Sequence, residues 1–383
     1  MDTVSIERCA TYDPAELSAA LSAVLSPLGG IGAFVSPGQS VLLKVNLLSR
    51  ALPERAVTTH PEFVRAVIRA VKAAGGTVTV GDSPGGRNTG AGIKHIWEDS
   101  GIGAMCAEED VALVLFDNDC VRQHADGSSL YSSFTLGRAV TETDVLITLP
   151  KFKTHGFMMF TGAVKNLFGC IPGLSKAQYH LTVPEREDFG AMLVDLMLAC
   201  RPSLAIMDAV VGMEGEGPAG GLPRHVGALL ASADCVSLDV VASSMAGLDP
   251  MEVYTNKAAA SRGLGPASVE DVKTVGADWR ELAPESFELP ARDITAMMPK
   301  WLGKRLRGWA TAKPVLLRPH ECTRCKTCEQ NCPVGAIVVK SDGPVFDPGT
   351  CIRCYCCQEL CPPQVIGLST PQLARFAQRG RGF

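Results

Sequence analysis

Two cysteine runs of identical spacing constrain this chain more than any other feature of its sequence. Residues 322–333 read CTRCKTCEQNCP and residues 351–362 read CIRCYCCQELCP, so both follow the pattern C-x2-C-x2-C-x3-C-P. Cysteines at this spacing ligate 4Fe–4S clusters in pairs, and the fourth cysteine of each run ligates the other cluster. Three thiolates on one tight loop reach three corners of a cube, and the proline turns the chain away after the fourth cysteine. The duplicated run therefore predicts two 4Fe–4S clusters.

The spacing also assigns each cysteine to a cluster. The first cluster is expected to be bound by Cys322, Cys325, Cys328 and Cys361. The second cluster is expected to be bound by Cys332, Cys351, Cys354 and Cys357. Cys356 is left over, because its use in place of Cys357 would break the spacing on both sides. Zinc is the alternative metal, since four-cysteine sites also bind zinc, but zinc sites usually present two separated pairs of cysteines.

The distribution of the cysteines and the N-terminal residues indicate the cellular location of the protein. Nine of the fifteen cysteines fall between Cys322 and Cys361. The chain starts without the basic and apolar regions of a secretion signal, and its apolar stretches are too short to cross a bilayer. The number of cysteines is odd, most of them lie close together, and the chain has no export signal. These features favour metal binding over a disulfide framework. We therefore expect a cytoplasmic protein without a transmembrane segment.

Charge divides the chain into modules. The net charge is −12 over residues 1–290 and +8 over residues 291–383. The expected units are an α/β domain (1–290), an amphipathic helix with a linker (291–318), a two-cluster ferredoxin domain (319–370) and a basic tail (371–383). The helical stripe at 293–309 fits packing between the domains and, less often, a membrane surface. Two clusters carry roughly −4, so the positive charge of the C-terminal part does not indicate nucleic-acid binding.

Residues 1–290 alternate apolar strands with helical patterns. Strands are predicted at 40–46, 77–82, 111–117, 144–150, 203–209 and 226–232. Helical patterns separate several of them, at 61–74, 161–168, 187–200 and 234–246. This alternation predicts an α/β fold whose mostly parallel sheet carries helices on both faces. The C-terminal cluster domain is expected to be a small α+β unit.

Polar side chains follow several of these strands, at the sheet edge where an α/β fold binds its ligands. The candidate ligands of a small anion are Lys44, Asn46, Lys151, Lys153, Lys165 and Asn166. His155 and His60 are the candidate proton donors, whereas His180 is expected to be structural. Each lysine taken alone fits a solvated loop better than an anion site. The clustering of Lys151, Lys153 and His155 after one apolar strand favours an anion site.

Three segments resemble domain-of-unknown-function family 362: TTHPEFVRAVIRAVKAAGGTVTVGDSPG, LPKFKTHGFMMFTGAVKNLFGCIPGLSKAQYH (149–180) and GMEGEGPAGGLPR. The resemblance covers most of residues 35–280. The members most similar to this chain carry a C-terminal two-cluster ferredoxin module, which extends the resemblance to about residue 368. It implies a 4Fe–4S-binding protein of the kind described as iron–sulfur proteins or reductases. It implies no substrate and no catalytic residues.

The joining of a cluster module to 290 further residues predicts an oxidoreductase. Electrons would pass through the two clusters to a small anionic substrate in the α/β domain. The alternative is an electron-transfer subunit of a larger redox complex, in which the α/β domain is a docking platform and its negative charge steers a basic partner. A redox or iron sensor is a weaker third hypothesis. Each of the first two requires an electron donor or acceptor protein as partner.

Overall fold

The computed structural model describes residues 3–86, 90–290 and 311–369. The amphipathic helix predicted at 293–309 and the basic tail at 371–383 lie outside these ranges. Within the described ranges the strands are β1 Thr3–Arg8, β2 Ser40–Lys44, β3 Thr77–Asp82, β4 Ala112–Leu115, β5 Cys120–His124, β6 Ser133–Gly137, β7 Val145–Thr148, β8 Lys151–His155, β9 Met159–Phe160, β10 Leu204–Glu214, β11 Leu222–Ser232, β12 Lys273–Gly276, β13 Lys313–Leu316, β14 Ile337–Lys340, β15 Gly343–Phe346 and β16 Ile366–Ser369.

The helices of the same ranges are α1 Pro14–Leu25, α2 Pro61–Ala73, α3 Gly90–Asp99, α4 Ile102–Glu108, α5 Arg138–Glu142, α6 Gly162–Asn166, α7 Gly173–Thr182, α8 Arg186–Cys200, α9 Cys235–Met245, α10 Tyr254–Ala260, α11 Trp279–Leu282, α12 Thr327–Gln330 and α13 Cys356–Glu359. Short 3-10 turns connect several of them. α2, α8 and α9 coincide with helical patterns of the sequence, because apolar residues at helical spacing can be buried only in a helix. α1 was not among the predicted helices.

One large sheet organises the first 290 residues. Its strand order is β12-β1-β11-β10-β7-β2-β3-β4, and β8 pairs with β10 and with β9. Among the described residues, six of its nine pairings are parallel. The predicted mostly parallel sheet is therefore confirmed. The strand order, which the pattern of the sequence left open, includes antiparallel neighbours on both sides of β11.

Helices cover both faces of this sheet, as predicted. Along β2, Val41 and Leu43 belong to the apolar core that includes α1 and α2, whereas Leu42 belongs to the core that includes α8 and α9. Successive side chains of a strand point to opposite faces. A strand buried on both faces has no polar alternation, which explains the continuous apolar runs of the sequence.

The C-terminal domain consists of two small antiparallel sheets and two short helices. β13 pairs with β16, and β14 pairs with β15. α12 and α13 begin at equivalent positions of the two cysteine runs, five residues after the first cysteine of each. The predicted α+β unit is therefore confirmed within the described residues.

The C-terminal domain packs directly against the α/β domain. Gln358 donates from Nε2 to the carbonyl oxygen of Glu216 at 3.2 Å, and Arg55 donates to Oε1 of Gln364 at 2.9 Å. Tyr355 is buried in the larger apolar core of the α/β domain. These contacts bring the second cysteine run to the sheet edge at which β2 and β3 end.

Candidate functional site

A buried cavity of about 80 Å³ lies where the two domains meet. Lys44 and Asp82, the last residues of β2 and β3, form part of one wall, and Cys356 and Glu359 of α13 form part of the opposite wall. One buried water takes up about 10–15 Å³, so several waters or one small ligand fit this space. The cavity thus combines the carboxyl edge of a parallel sheet, where such folds bind ligands, with a cysteine loop.

Four lysines line this cavity, in places where ordinary cores exclude charge. They are Lys44, Lys153, Lys165 and Lys176. The Nζ atom of Lys44 lies 3.0 Å from Oδ2 of Asp82, and both side chains are almost fully buried. Lys176 extends from α7 and donates to the carbonyl oxygen of Ser83. Among the described lining residues, the carboxylates opposing these lysines are Asp82 and Glu359, so the wall has more cationic than anionic groups.

Two of the lysines have strongly altered proton affinity. Lys153 donates from Nζ to the carbonyl oxygen of Val57 at 2.6 Å and to that of Pro218 at 3.3 Å. Burial lowers the pKa of Lys153 to about 7, and burial also lowers the pKa of Lys176 to about 7. Both ammonium groups can therefore exchange a proton near neutral pH.

Lys165 is the cation with the freest head group. Its Nζ atom lies 4.8 Å from the centre of the Phe168 ring, and no carboxylate of the described residues lies within 4 Å of it. Burial lowers the pKa of Lys165, whereas Glu359 and Cys356 act in the opposite direction. Lys165 is half-buried, and a partly desolvated ammonium group without a paired carboxylate is unfavourable, so an anion bound in the cavity would stabilise it.

The two cavity histidines are neutral imidazoles. Nδ1 of His155 accepts hydrogen bonds from the backbone N–H groups of Phe157 at 3.1 Å and Met158 at 3.4 Å. The proton of neutral His155 therefore lies on Nε2, which is 3.5 Å from Oε1 of Glu359. Burial lowers the pKa of His155 well below its ordinary value and that of His180 to about 3. His155 is therefore a poor proton donor.

Several buried polar atoms of the cavity wall have no hydrogen-bond partner within the described part of the chain. They are Oδ1 of Asn46, Oγ1 of Thr161, Nδ1 of His180 and Oε1 of Glu359. Buried polar atoms are hydrogen-bonded in the great majority of cases, and exceptions mark a missing ligand or water. The wall therefore offers acceptors as well as cations, which suits an anion that carries hydroxyl or N–H groups.

A buried carboxylate positions the helix that carries Lys165 and Asn166. Asp239 accepts hydrogen bonds from the backbone N–H groups of Ala163 and Val164, at the start of α6. A Cβ atom on Gly162, whose φ is +60°, would collide with this carboxylate. Burial raises the pKa of Asp239 to about 8 despite the two amide donors. The glycine and the aspartate together fix the direction in which Lys165 enters the cavity.

The structure brings together most of the candidate residues predicted from the sequence. Those that line the cavity are Lys44, Asn46, Lys153, His155, Lys165 and Asn166. Asn166 accepts from Nδ2 of Asn46 at 2.9 Å and donates to Oγ1 of Thr148 at 2.9 Å, which ties the ends of β2 and β7 to α6. Adjacent parallel strands end at the same edge, and this is why residues far apart in sequence meet there.

Lys151 and His60 lie outside the cavity, in contrast to the prediction. The Nζ atom of Lys151 lies 2.7 Å from Oδ2 of Asp208 and 2.8 Å from the Tyr12 hydroxyl. The Tyr12 ring stacks on His60 at 3.5 Å, and Nδ1 of His60 caps α2 by accepting from the Glu62 N–H. The reason is that Lys151 opposes Asp208 in the pairing of β8 with β10, and a buried carboxylate requires a nearby cation.

Other cavity residues were not predicted from the sequence. They are Asp82, Thr161, Lys176, His180, Asn331 and Glu359. Asp82 ends a predicted strand, which is a signal that could have identified it. His180 was expected to be structural, and its contact with the cavity arises from the packing of α7. Asn331 and Glu359 belong to the cysteine runs, and only docking of the C-terminal domain brings them to the α/β domain.

The cysteine loops share two features with iron–sulfur binding loops. The four cysteines predicted to bind the first cluster line one pocket of about 20 Å³. The backbone is left-handed at Arg324 and Lys326, and again at Arg353 and Tyr355, the equivalent positions of the second run. Alternation of left- and right-handed residues turns backbone N–H groups toward a common point and forms anion-binding concavities typical of Fe–S sites. The four cysteines of this pocket therefore suit the cluster predicted for them, and the second run shares the backbone pattern of the first.

The second cysteine run borders the cavity. Burial raises the pKa of Cys357 well above its ordinary value, and so do the neighbouring thiols of Cys354, Cys351 and Cys332. Cys356, the residue left over by the spacing, lines the cavity instead. Gly86 allows this close approach of the C-terminal domain, since a Cβ atom there would lie 2.9 Å from the Asn331 side chain.

No helix within residues 3–86, 90–290 and 311–369 combines the length and the apolar character needed to cross a membrane. The cytoplasmic location remains a prediction.

Two family models match parts of this chain. The model of a domain of unknown function, DUF362, matches residues 41–244, and that of a 4Fe-4S binding domain matches residues 316–338. The second match includes the first cysteine run and not the second, so the number of clusters remains a prediction. The C-terminal domain is therefore a 4Fe–4S binding domain.

A curated relative and a solved structure are also similar to this chain. The thylakoid-associated protein sll1697 of Synechocystis sp. (strain ATCC 27184 / PCC 6803 / Kazusa) is 38% identical over 289 residues, which are 75% of this chain and 88% of the relative. The lactate racemase apoprotein from Thermoanaerobacterium thermosaccharolyticum superposes with a TM-score of 0.39 at 13% identity, over 61% of this chain. The chain spans about half (54%) of that second protein.

Proposed function

The chain belongs to the DUF362 family and carries a 4Fe–4S binding domain, and from this premise we propose that it reduces a small anionic substrate held between its two domains. The observation that carries the proposal is the lysine-lined cavity bordered by the cysteine run of the second predicted cluster. When bound, two 4Fe–4S clusters supply single electrons. The residues of the chain itself supply the binding, the water exclusion and the protons.

Binding of the anion is assigned to Lys165 and Lys176. Both head groups reach the cavity from helices, and Lys165 has no carboxylate within 4 Å among the described residues. In a buried site the attraction between an ammonium group and an anion is several-fold stronger than in water. Asn46 and Thr161 have unpaired polar atoms in the same wall, and these would select an anion that also carries hydrogen-bonding groups.

Proton delivery is assigned to Lys153 and Lys176. Reduction of an oxo or unsaturated anion consumes protons together with electrons, and a proton donor works best when its pKa lies near the working pH. The pKa of each of these lysines is lowered to about 7. His155, a donor predicted from the sequence, stays neutral because burial lowers its pKa well below the ordinary value.

The test is anaerobic turnover with reduced methyl viologen as the electron donor. Small oxidised anions (nitrite, sulfite, 2-oxo acids and enoates) are supplied one at a time, and loss of the viologen colour is followed. We expect turnover with one of these classes. Absence of turnover with all of them, together with a partner protein that co-purifies stably, would favour the electron-transfer subunit.

The cluster content gives a separate prediction. We expect about eight irons and eight acid-labile sulfides per chain after anaerobic purification, because two cubes hold four of each. Cys351→Ala should lower the iron content to about four, whereas Cys356→Ser should leave it at about eight, since Cys356 lies outside the ligand spacing. Zinc, or about four irons in the fully reconstituted parent protein, would contradict the two-cluster assignment.

Anion binding should weaken as the pH rises through neutrality. Lys153 and Lys176 are protonated below a pKa of about 7. The affinity for the anion is therefore highest below this pH and falls above it. A bound anion favours the protonated form and moves the midpoint upward. Above the pKa of the free protein, the dissociation constant rises about tenfold per pH unit for each proton that is taken up on binding. Calorimetric titration between about pH 6 and 9 measures this, and a flat profile would exclude these lysines as the titrating groups.

A further inference from the structure

An open groove of about 580 Å³ crosses the domain boundary beside the first cysteine group. Arg50, Leu52 and Arg55 of the α/β domain line it, together with Arg318 and Cys325 of the C-terminal domain. It shares no lining residue with the buried cavity. The groove therefore serves a purpose other than holding the substrate of the proposed reaction.

This groove contains the part of the cysteine loops that reaches the surface. All fifteen cysteines lie within the described residues, and Cys325 is the one that is exposed. Cys325 is assigned to the first cluster, whereas Cys356 of the second run faces the buried cavity. A protein that exchanges electrons with this chain can approach closely at Cys325.

The surface around Cys325 carries several arginines, of which two are paired with carboxylates. Arg50 is paired with Asp99 at 2.6 Å, and Arg318 is paired with Glu321 at 2.9 Å. These two arginines therefore add little net charge to the groove.

Three further cations outnumber the charge of about −2 of the first predicted cluster: Arg55 lines the groove, and Arg324 and Lys326 line the adjoining cluster pocket. Arg55 bonds to the neutral side chain of Gln364, and Arg324 bonds to the carbonyl oxygen of Ser341. Neither these two arginines nor Lys326 has a carboxylate within 4 Å among the described residues. Leu52 adds an apolar side chain that is 60% exposed. A basic rim around an apolar contact is the complement of an acidic protein surface.

We propose that this groove receives a small acidic electron-carrier protein, which exchanges electrons with the first cluster. The inference rests on the proposed function only for the direction of electron flow, toward the cavity. Local charge decides the partner here, because screening in about 0.15 M salt limits electrostatic attraction to about 8 Å. The α/β domain is acidic as a whole, yet at this place it presents Arg55 beside the Arg50–Asp99 ion pair.

Binding of an acidic ferredoxin, in its oxidised form, tests the proposal without any substrate. Calorimetry of the full-length, cluster-loaded protein at low salt should detect a complex, and about 0.3 M NaCl should weaken it by about tenfold or more. Arg55→Glu should weaken binding several-fold, and Arg50→Glu/Arg55→Glu should weaken it further. Lys257→Glu, a charge reversal of equal size on an exposed position of α10, should leave binding unchanged.

A second measurement follows electron exchange between the two proteins by stopped flow. Transfer is recorded in whichever direction the potentials allow, because both directions share one encounter complex. The groove variants should slow the second-order rate by about the factor found for binding, with unchanged iron content and unchanged bleaching by dithionite. Equal weakening by Lys257→Glu, or no effect of either groove variant, would overturn the proposal. Loss of anion reduction with intact ferredoxin binding would overturn only the proposed function.

Discussion

Lys165→Met is expected to weaken binding of the anionic substrate by about 100-fold, whereas the free energy of unfolding should stay equal or increase. Removal of one member of a buried, charge-assisted contact costs about 2–5 kcal/mol, and the lower part of this range corresponds to about two orders of magnitude in affinity. Among the described residues, Lys165 is the cavity lysine that has neither a hydrogen bond nor a carboxylate within 4 Å, whereas the other three donate hydrogen bonds. The measurement is a calorimetric titration with the anion that supports turnover.

The stability of the same variant separates binding from folding. Burial lowers the pKa of Lys165, which means that the charged lysine destabilises the empty folded state. Methionine has a similar length and no charge, so the melting temperature should stay equal or rise. Lys165→Arg, which keeps the charge, should retain part of the affinity. A variant that loses stability and affinity together would assign Lys165 a structural role.

Lys151→Met is expected to do the opposite, with a loss of stability of about 3–5 kcal/mol and unchanged anion affinity. Asp208 and Lys151 are both completely buried, and Nζ of Lys151 lies 2.7 Å from Oδ2 of Asp208. Removal of one partner of a buried ion pair leaves an uncompensated charge, and losses of about this size result. Urea unfolding near pH 7 measures the change.

The partner substitution supplies the matched control. Lys151→Met/Asp208→Asn should recover most of the lost stability, because both charges are then absent. The backbone N–H of His60 donates to Oδ2 of Asp208 at 2.9 Å, and the Tyr12 hydroxyl donates to Oδ1. In the substituted side chain the amide oxygen can accept from His60 while the amide nitrogen donates to the Tyr12 hydroxyl. A loss below about 1 kcal/mol in the single variant would show that the ion pair contributes little. A loss of anion binding without a loss of stability would place Lys151 in the anion site.

The contrast between these lysines explains how far the candidate site could be predicted. Strand ends and apolar runs placed Lys44, Lys153 and Lys165 near one sheet edge, and the structure brings them together. Lys151 satisfies the same pattern. Its separation from the cavity depends on Asp208, which lies 57 residues away in the sequence and is its partner across β8 and β10. Short-range patterns contain no information about such a pairing.

The residues that line the cavity show a second limit of prediction from the sequence. Asn331 and Glu359 belong to the cysteine runs, and their sequence context indicates only cluster binding. They line the cavity because the C-terminal domain packs on the sheet edge, where Gln358 bonds to the Glu216 carbonyl oxygen. Contacts between domains depend on the shapes and polar groups of two surfaces at once, and neither surface can be predicted from periodicity alone.

The sequence by itself determined the α/β class, six strands of the large sheet, the helices α2, α6, α8 and α9, and the 4Fe–4S character of the C-terminal domain. These features follow from local causes: apolar periodicity decides between helix and strand, and cysteine spacing decides which irons a short loop can reach. The tertiary structure alone decided the strand order, the partner of each buried lysine and the position of the cavity. These depend on long-range pairing, since a buried charge is stable only beside a group that the fold brings to it.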